Sequence, residues 1–221
     1  MSEVARPDHE AEHLGALRID EPAPNFRARS THGELQLSDY LGQWVLLFSH
    51  PADFTPVCTS ELLAFEREAE QFAELNCQLL GLSVDSVFAH LAWIRDLSTR
   101  FGVTVSFPII EDISMSIATA YGMIHPASDT TATVRSVFLI DPEGRLRVMS
   151  YYPPYLGRSV DEILRIVAAI QECDQRNMVA PEGWQPGSDF VLMAPTEDEE
   201  AVRRENRTGE PWYYTPMGSN S

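Results

Sequence analysis

Lysine is absent from these 221 residues. All sixteen basic side chains are arginine, against thirty-three acidic ones, and the net charge is −17. The absence excludes a Schiff-base lysine and the lysine of a P-loop outright. So negative a chain repels nucleic acid and anionic lipid and gains solubility from its charge; it also suits a saline environment. Cysteine is scarce: Cys58, Cys77 and Cys173 are odd in number and form neither a C-x-x-C pair nor a zinc-finger spacing. A disulfide framework is therefore not expected, and any cysteine chemistry is that of single thiols. Long apolar runs are missing too, none approaching the roughly 20 residues of a membrane helix. The opening "MSEVARPDHEAEHLG" carries no hydrophobic signal core, so a soluble, cytoplasmic protein is the expectation.

What is present suffices for a packed core, with 44% hydrophobic and 10% aromatic residues. Residues 1–13 read as a polar tail. From there strands and helices alternate. "WVLLFS" (44–49) is a buried strand, and 57–75 carries Leu62, Phe65, Ala69 and Phe72 at helical spacing. "CQLLGLSVD" (77–85) is a second buried strand, followed by a helix over 86–100 with Trp93 and Leu97 on its apolar side. "FPIIED" (107–112) reads as a short strand and leads to a brief helix ending near Tyr121 and Gly122. "TVRSVFLID" and "RLRVMSYY" flank "PEG" (142–144) as a hairpin. Ser159 and Glu162 form an S-x-x-E capping box before a helix that ends near Gln175. This order predicts an α/β sandwich with a mixed central sheet flanked by helices, the thioredoxin-like arrangement leading, over residues 14–175. Residues 176–221 hold five of the fifteen prolines and aromatics at Trp184, Phe190 and 212–214, and read as an extended arm whose aromatics need a surface to cover them.

The densest chemistry lies in "SHPADFTPVCTSEL" (49–62), where a strand hands over to a helix. Thr55 suits the N-cap and Pro56 the first helical position, which puts Cys58 in the first turn. Free N–H groups and the helix dipole there favour the thiolate over the thiol. The Thr55 hydroxyl would lie next to the sulfur, able to orient an incoming oxygen.

"PADFTPVCTSEL" resembles the P-x-x-x-[ST]-x-x-C signature of peroxiredoxins, here Pro51, Thr55 and Cys58. The longer "FSHPADFTPVCTSEL" is similar to the one-cysteine, peroxiredoxin-6-type branch of the AhpC/TSA family. "GLSVDS" (81–86), "TVRSVFLIDPEG" (133–144), "GRSVDEILR" (157–165), "VAPEGW" (179–184) and "YYTP" (213–216) resemble that branch in order. The resemblance implies a thioredoxin fold and reduction of hydrogen peroxide and organic hydroperoxides with no metal or organic cofactor. It implies Cys58 as the peroxidatic nucleophile, passing through a sulfenic acid regenerated by an external thiol reductant. Thr55 and Arg135 would bind the peroxide, Pro51 would shield the sulfenate, and Arg158 would be a second active-site arginine. His50 would hydrogen-bond around the pocket and Glu61 would orient an arginine. The arm would pack across a homodimer interface, and rings of dimers occur in the family.

Plainer readings stand beside these. Cys77 and Cys173 read as packing residues. "HEAEH" (9–13) matches H-E-x-x-H but lacks a surrounding apolar helix and a third ligand, so no metal is expected. His90 and His125 have no evident partners. Some animal members of the family also carry a phospholipase activity attributed to a serine in a G-x-S-x-G-like stretch. The corresponding "YLGQWVLLF" (40–48) has no serine, and no such activity is expected. A client-binding protein with the cysteine as redox sensor, and a disulfide exchanger lacking its second cysteine, are the competing functions.

Overall fold

The computed structural model describes residues 17–124 and 130–217; the "HEAEH" motif, His125 and the polar tail lie outside them. The chain forms two compact units. One comprises the residues up to Glu66 together with Cys77–Gly157, the other Arg67–Asn76 together with Arg158–Ser221.

The first unit is built on a seven-stranded mixed sheet. In chain order its elements are β1 (Arg27–Ser30), β2 (Gly33–Gln36), β3 (Trp44–Ser49), α1 (Pro56–Arg67), β4 (Cys77–Ser83), α3 (Val87–Phe101), β5 (Ile109–Glu111), α4 (Ser116–Ala120), β6 (Arg135–Ile140) and β7 (Leu146–Tyr152), with α2 (Ala69–Glu74) belonging to the other unit. The sheet order is β2-β1-β5-β4-β3-β6-β7. β3 runs parallel to β4, and β4 to β5, while β6 lies antiparallel on the other side of β3. Every residue of β3 and β6 is buried, as a central strand covered on both faces requires. Alternation divides them: Val45 and Leu47 join Leu80, Phe138 and Ile117 of α4 on one face. On the opposite face Phe48 stacks on Phe65 of α1 with ring centroids 4.1 Å apart.

Most of the expected elements are in place, and the differences have local causes. The helix predicted over 57–75 is two helices, broken at Glu68, whose ψ of 5° leaves the helical range. The β6–β7 hairpin forms around Asp141, whose Oδ1 accepts from the backbone of Glu143 and Arg145, with Gly144 at φ +80° closing the turn. The β1–β2 hairpin is too short and too exposed to leave an alternating signal.

In the second unit α5 (Val160–Arg176) starts at Ser159, whose hydroxyl accepts from the Glu162 backbone N–H. The capping box is half formed: the Glu162 carboxylate turns to Arg165 instead of reaching back to the cap. The unit also contains β8 (Phe190–Val191), α6 (Asp198–Thr208) and β9 (Pro216–Met217), and β8 pairs antiparallel with β9. Its core is Ala168 and Ala169 of α5 with Trp184 and Phe190. The arm is therefore not extended throughout, and α5, counted with the first domain in the sequence reading, groups with it. α6 escapes a hydrophobic-pattern reading because Ala201 is its one buried residue.

Candidate active site

The site begins where β3 ends. α1 starts at Pro56, and the Thr55 carbonyl accepts the first helical bond from the Thr59 N–H at 2.9 Å, so Thr55 is the N-cap and Cys58 lies in the first turn. The Thr55 hydroxyl donates to the Ala52 carbonyl at 2.9 Å, which leaves the lone pairs of its oxygen to accept. Phe54 holds φ +57°, an uncommon value for a non-glycine residue, in the turn that brings the chain from strand to helix.

Across the sheet, β6 delivers Arg135. Ser49 at the end of β3 ties down the residues on either side of Arg135: its hydroxyl donates to the Val134 carbonyl at 2.6 Å and accepts from the Ser136 N–H at 3.1 Å. The Thr133 hydroxyl adds a bond to the His50 carbonyl at 2.9 Å. So held, the Arg135 guanidinium donates from Nη1 to the Cys58 sulfur at 3.3 Å and to Glu61 Oε2 at 2.6 Å, and from Nε to the Pro154 carbonyl at 2.9 Å. All three side chains are buried: Cys58 is 2% exposed, Arg135 2% and Glu61 3%. A buried cation facing both a carboxylate and a sulfur has one orientation open to it, because any rotation leaves a charge unpaired.

The structure thus brings Cys58, Glu61 and Arg135 together and sets Thr55 and half-buried Pro51 on the same connection. His50 belongs to a different set of contacts. Its Nε2 lies 2.8 Å from Asp53 Oδ1, and the other oxygen of Asp53 lies 2.7 Å from His90 Nδ1. Among the described residues, His50, Asp53 and His90 form a group with the donor set to hold a metal ion. Burial opposes ionisation of Asp53, but hydrogen bonds from the two imidazoles outweigh it and hold the carboxyl below its usual range. Burial likewise pushes His50 down, against the pull of Asp53. Arg158 is buried in the second unit, one residue before the α5 cap.

Sequence reasoning missed Asp53 and gave His90 no partner. A signal was available: His90 occupies the α3 stripe of Val87, Trp93 and Leu97, and a polar residue on a buried face must be satisfied. The remaining cysteines differ from Cys58. Burial in β4 pushes the Cys77 thiol up to about 12, and burial also raises Cys173. All three are free thiols.

A cysteine in the first turn of a helix at the end of a central strand, on a mixed sheet flanked by helices, defines a thioredoxin-fold thiol enzyme. The AhpC/TSA family pattern matches residues 19–149, and the chain belongs to that family. A peroxiredoxin of Aquifex aeolicus is 46% identical over 209 residues, covering 89% of this chain and 94% of its own. Among solved structures, a yeast mitochondrial 1-Cys peroxiredoxin aligns with TM-score 0.81 at 39% identity, covering 92% of this chain and all of its own. A mutant of peroxiredoxin 6 from Arenicola marina aligns with the same score and coverage at 34% identity. The chain is a thiol-dependent peroxidase, an oxidoreductase whose substrates are a peroxide and a thiol reductant.

Proposed function

We propose that Cys58 is the attacking residue of this peroxidase, in a one-cysteine cycle serving antioxidant defence and redox homeostasis in the cytoplasm. The observation that carries the assignment is the Arg135 Nη1–Cys58 Sγ contact of 3.3 Å in the first turn of α1. The guanidinium and the helix N-terminus both turn positive charge towards the sulfur. The thiolate attacks the terminal oxygen of the peroxide; the S–O bond forms as the O–O bond breaks. The departing oxygen leaves with the electron pair and takes up a proton, giving an alcohol or water. Sulfur is oxidised to the sulfenic acid and the peroxide is reduced. Arg135 lies where charge develops and, held by Glu61 and Pro154, needs no reorganisation to meet it. Thr55, its hydrogen engaged by Ala52, accepts from the peroxide O–H. Pro51 shields the sulfenate, and Arg158 acts as a second arginine on the strength of the family resemblance.

An external thiol then condenses with the sulfenic acid, releasing water, and a second thiol frees Cys58 from the mixed disulfide. Neither Cys77 nor Cys173 is poised as a thiolate to replace it. Exposed Tyr213 and Tyr214 support a homodimer in which the end of the arm is covered. Tyr213→Ser with Tyr214→Ser should shift the sedimenting species towards monomer, and an unchanged dimer would remove that role.

The test of the cycle is intact mass after titration of the reduced protein with hydrogen peroxide in the presence of a dimedone-type trap. Fast trapping confined to Cys58 is expected. A loss of two mass units instead, with Cys58 joined to Cys77 or Cys173, would replace the one-cysteine cycle by a two-cysteine one.

A further inference from the structure

Between β3 and β6 the backbone pairing stops just short of the active site. The antiparallel register runs from Val45 with Ile140 to Phe48 with Val137. Continued, it would pair Ser49 with Ser136 and then His50 with Arg135. Instead β3 carries on along its other edge, where Ser49 pairs with Leu82 and the His50 N–H donates to the Leu82 carbonyl at 2.9 Å. β6 likewise carries on beside β7, as far as the pairing of Arg135 with Tyr152. The strand that leads to Cys58 and the strand that bears Arg135 therefore lose their common ladder just before those two side chains meet.

Hydroxyl groups bridge the gap. Ser49 has a single hydroxyl hydrogen, and it goes to the Val134 carbonyl at 2.6 Å, a group that can only accept. The Ser136 hydroxyl lies 2.7 Å from the same oxygen and so donates to it, as the Ser136 N–H does at 3.1 Å. Ser49 Oγ thus gives one hydrogen bond and takes two, its full capacity. One step further, the Thr133 hydroxyl donates to the His50 carbonyl at 2.9 Å. All three hydroxyl residues are buried. Buried hydroxyls cost stability unless satisfied, and an apolar pair of the same shape can be nearly as stable. Stability alone does not account for the serine pair.

What these bonds hold is Arg135. Its neighbours Val134 and Ser136 are both tied to Ser49, which fixes its backbone relative to the end of β3. Its guanidinium meets partners carried by other elements: Cys58 and Glu61 on α1, and the Pro154 carbonyl beyond β7. A slide of β6 along β3 would carry the guanidinium off the sulfur, and a preorganised donor loses its effect with such a displacement. We propose that Ser49 is a positioning residue of the peroxidase, acting with Ser136 and Thr133: their hydroxyl bonds replace the backbone ladder where it ends and set the Arg135 guanidinium against Cys58. This rests on the assignment of Cys58 as the attacking cysteine.

A double-mutant cycle on the full chain tests the role, read as the rate constant for sulfenic acid formation at Cys58 with hydrogen peroxide. Ser49→Ala removes three bonds to the flanks of Arg135 and should slow the reaction roughly tenfold. In an Arg135→Met background the same change should slow it by less than about twofold, because a residue that acts through Arg135 then has nothing to position. Thr133→Val keeps the shape and loses the hydroxyl; it should slow the reaction with the same dependence on Arg135, and Thr133→Ser should recover the rate. This second pair decides the matter if Ser49→Ala does not fold. A wild-type rate in Ser49→Ala, or equal losses with and without Arg135, would overturn the proposal. So would a Thr133→Ser variant as slow as Thr133→Val. No sulfenic acid at Cys58 in the wild type would remove the assignment of the attacking cysteine and the positioning role with it. Sulfenic acid at Cys58 in the wild type, with additive losses in the variants, removes the positioning role alone.

Discussion

Cys58 and Cys77 are almost equally buried, 2% and 4% exposed, and their surroundings make them chemically opposite. Cys77 opens β4, paired with Trp44 in the middle of a sheet; burial, only partly offset by a hydrogen bond with the Leu46 backbone, pushes its thiol up to about 12. Cys58 is placed at the start of a helix with a guanidinium 3.3 Å away. Exclusion from water makes a thiol inert in one place and strengthens the contact between sulfur and guanidinium in the other. Depth of burial therefore says little about a cysteine; the sign of the nearest charge decides.

The sharpest way to break this contrast is to exchange the sulfur at each position. Cys58→Ser should abolish peroxide consumption, while Cys77→Ser should retain it, measured as the second-order rate constant with hydrogen peroxide; equal losses would erase the distinction.

Removing the cation comes next. Arg135→Met should lower kcat/KM by about 10²–10³, the scale seen when a preorganised donor is lost. It also breaks the buried Arg135–Glu61 ion pair, so stability should drop by about 3–5 kcal/mol in urea titrations. Restoring the neutral shape with Glu61→Gln in the same chain should recover most of the stability and none of the activity.

Alkylation asks the same question without mutation. At pH 8 a thiol at about 12 has a thiolate fraction of about one in ten thousand, so iodoacetamide should label Cys58 and spare Cys77 in the native protein. Comparable labelling of both by mass spectrometry would contradict the assignment.

The smallest effect is on stability against pH. His50 is depressed by burial, so the unfolded chain takes up a proton that the folded chain refuses, and stability falls as pH drops below about 6.5. Asp53, held low by its imidazole partners, adds a contribution that is present above about 3.9 and lost as pH falls through its folded value. Melting temperatures recorded from pH 7 to pH 4 should decline throughout, and a flat profile between pH 6.5 and 5 would show that His50 titrates freely.

The sequence by itself determined what depends on neighbours along the chain. The N-cap at Thr55, the first-turn place of Cys58, the β6–β7 hairpin and the Ser159 cap were all legible, because capping and turn formation are settled by hydrogen bonds spanning two to four residues. The peroxiredoxin signature compresses the same local physics into twelve letters. Arg135 was named through resemblance, but nothing within reach of it in sequence indicates that it meets a sulfur 77 residues away. That meeting follows from the placement of β6 beside β3 and from the Ser49 clamp that sets the pairing. The His50–Asp53–His90 group belongs to the same category. Tertiary structure decided these because a buried polar group is satisfied by whatever the fold brings within about 3 Å, and strand order and register, not sequence separation, determine what that is.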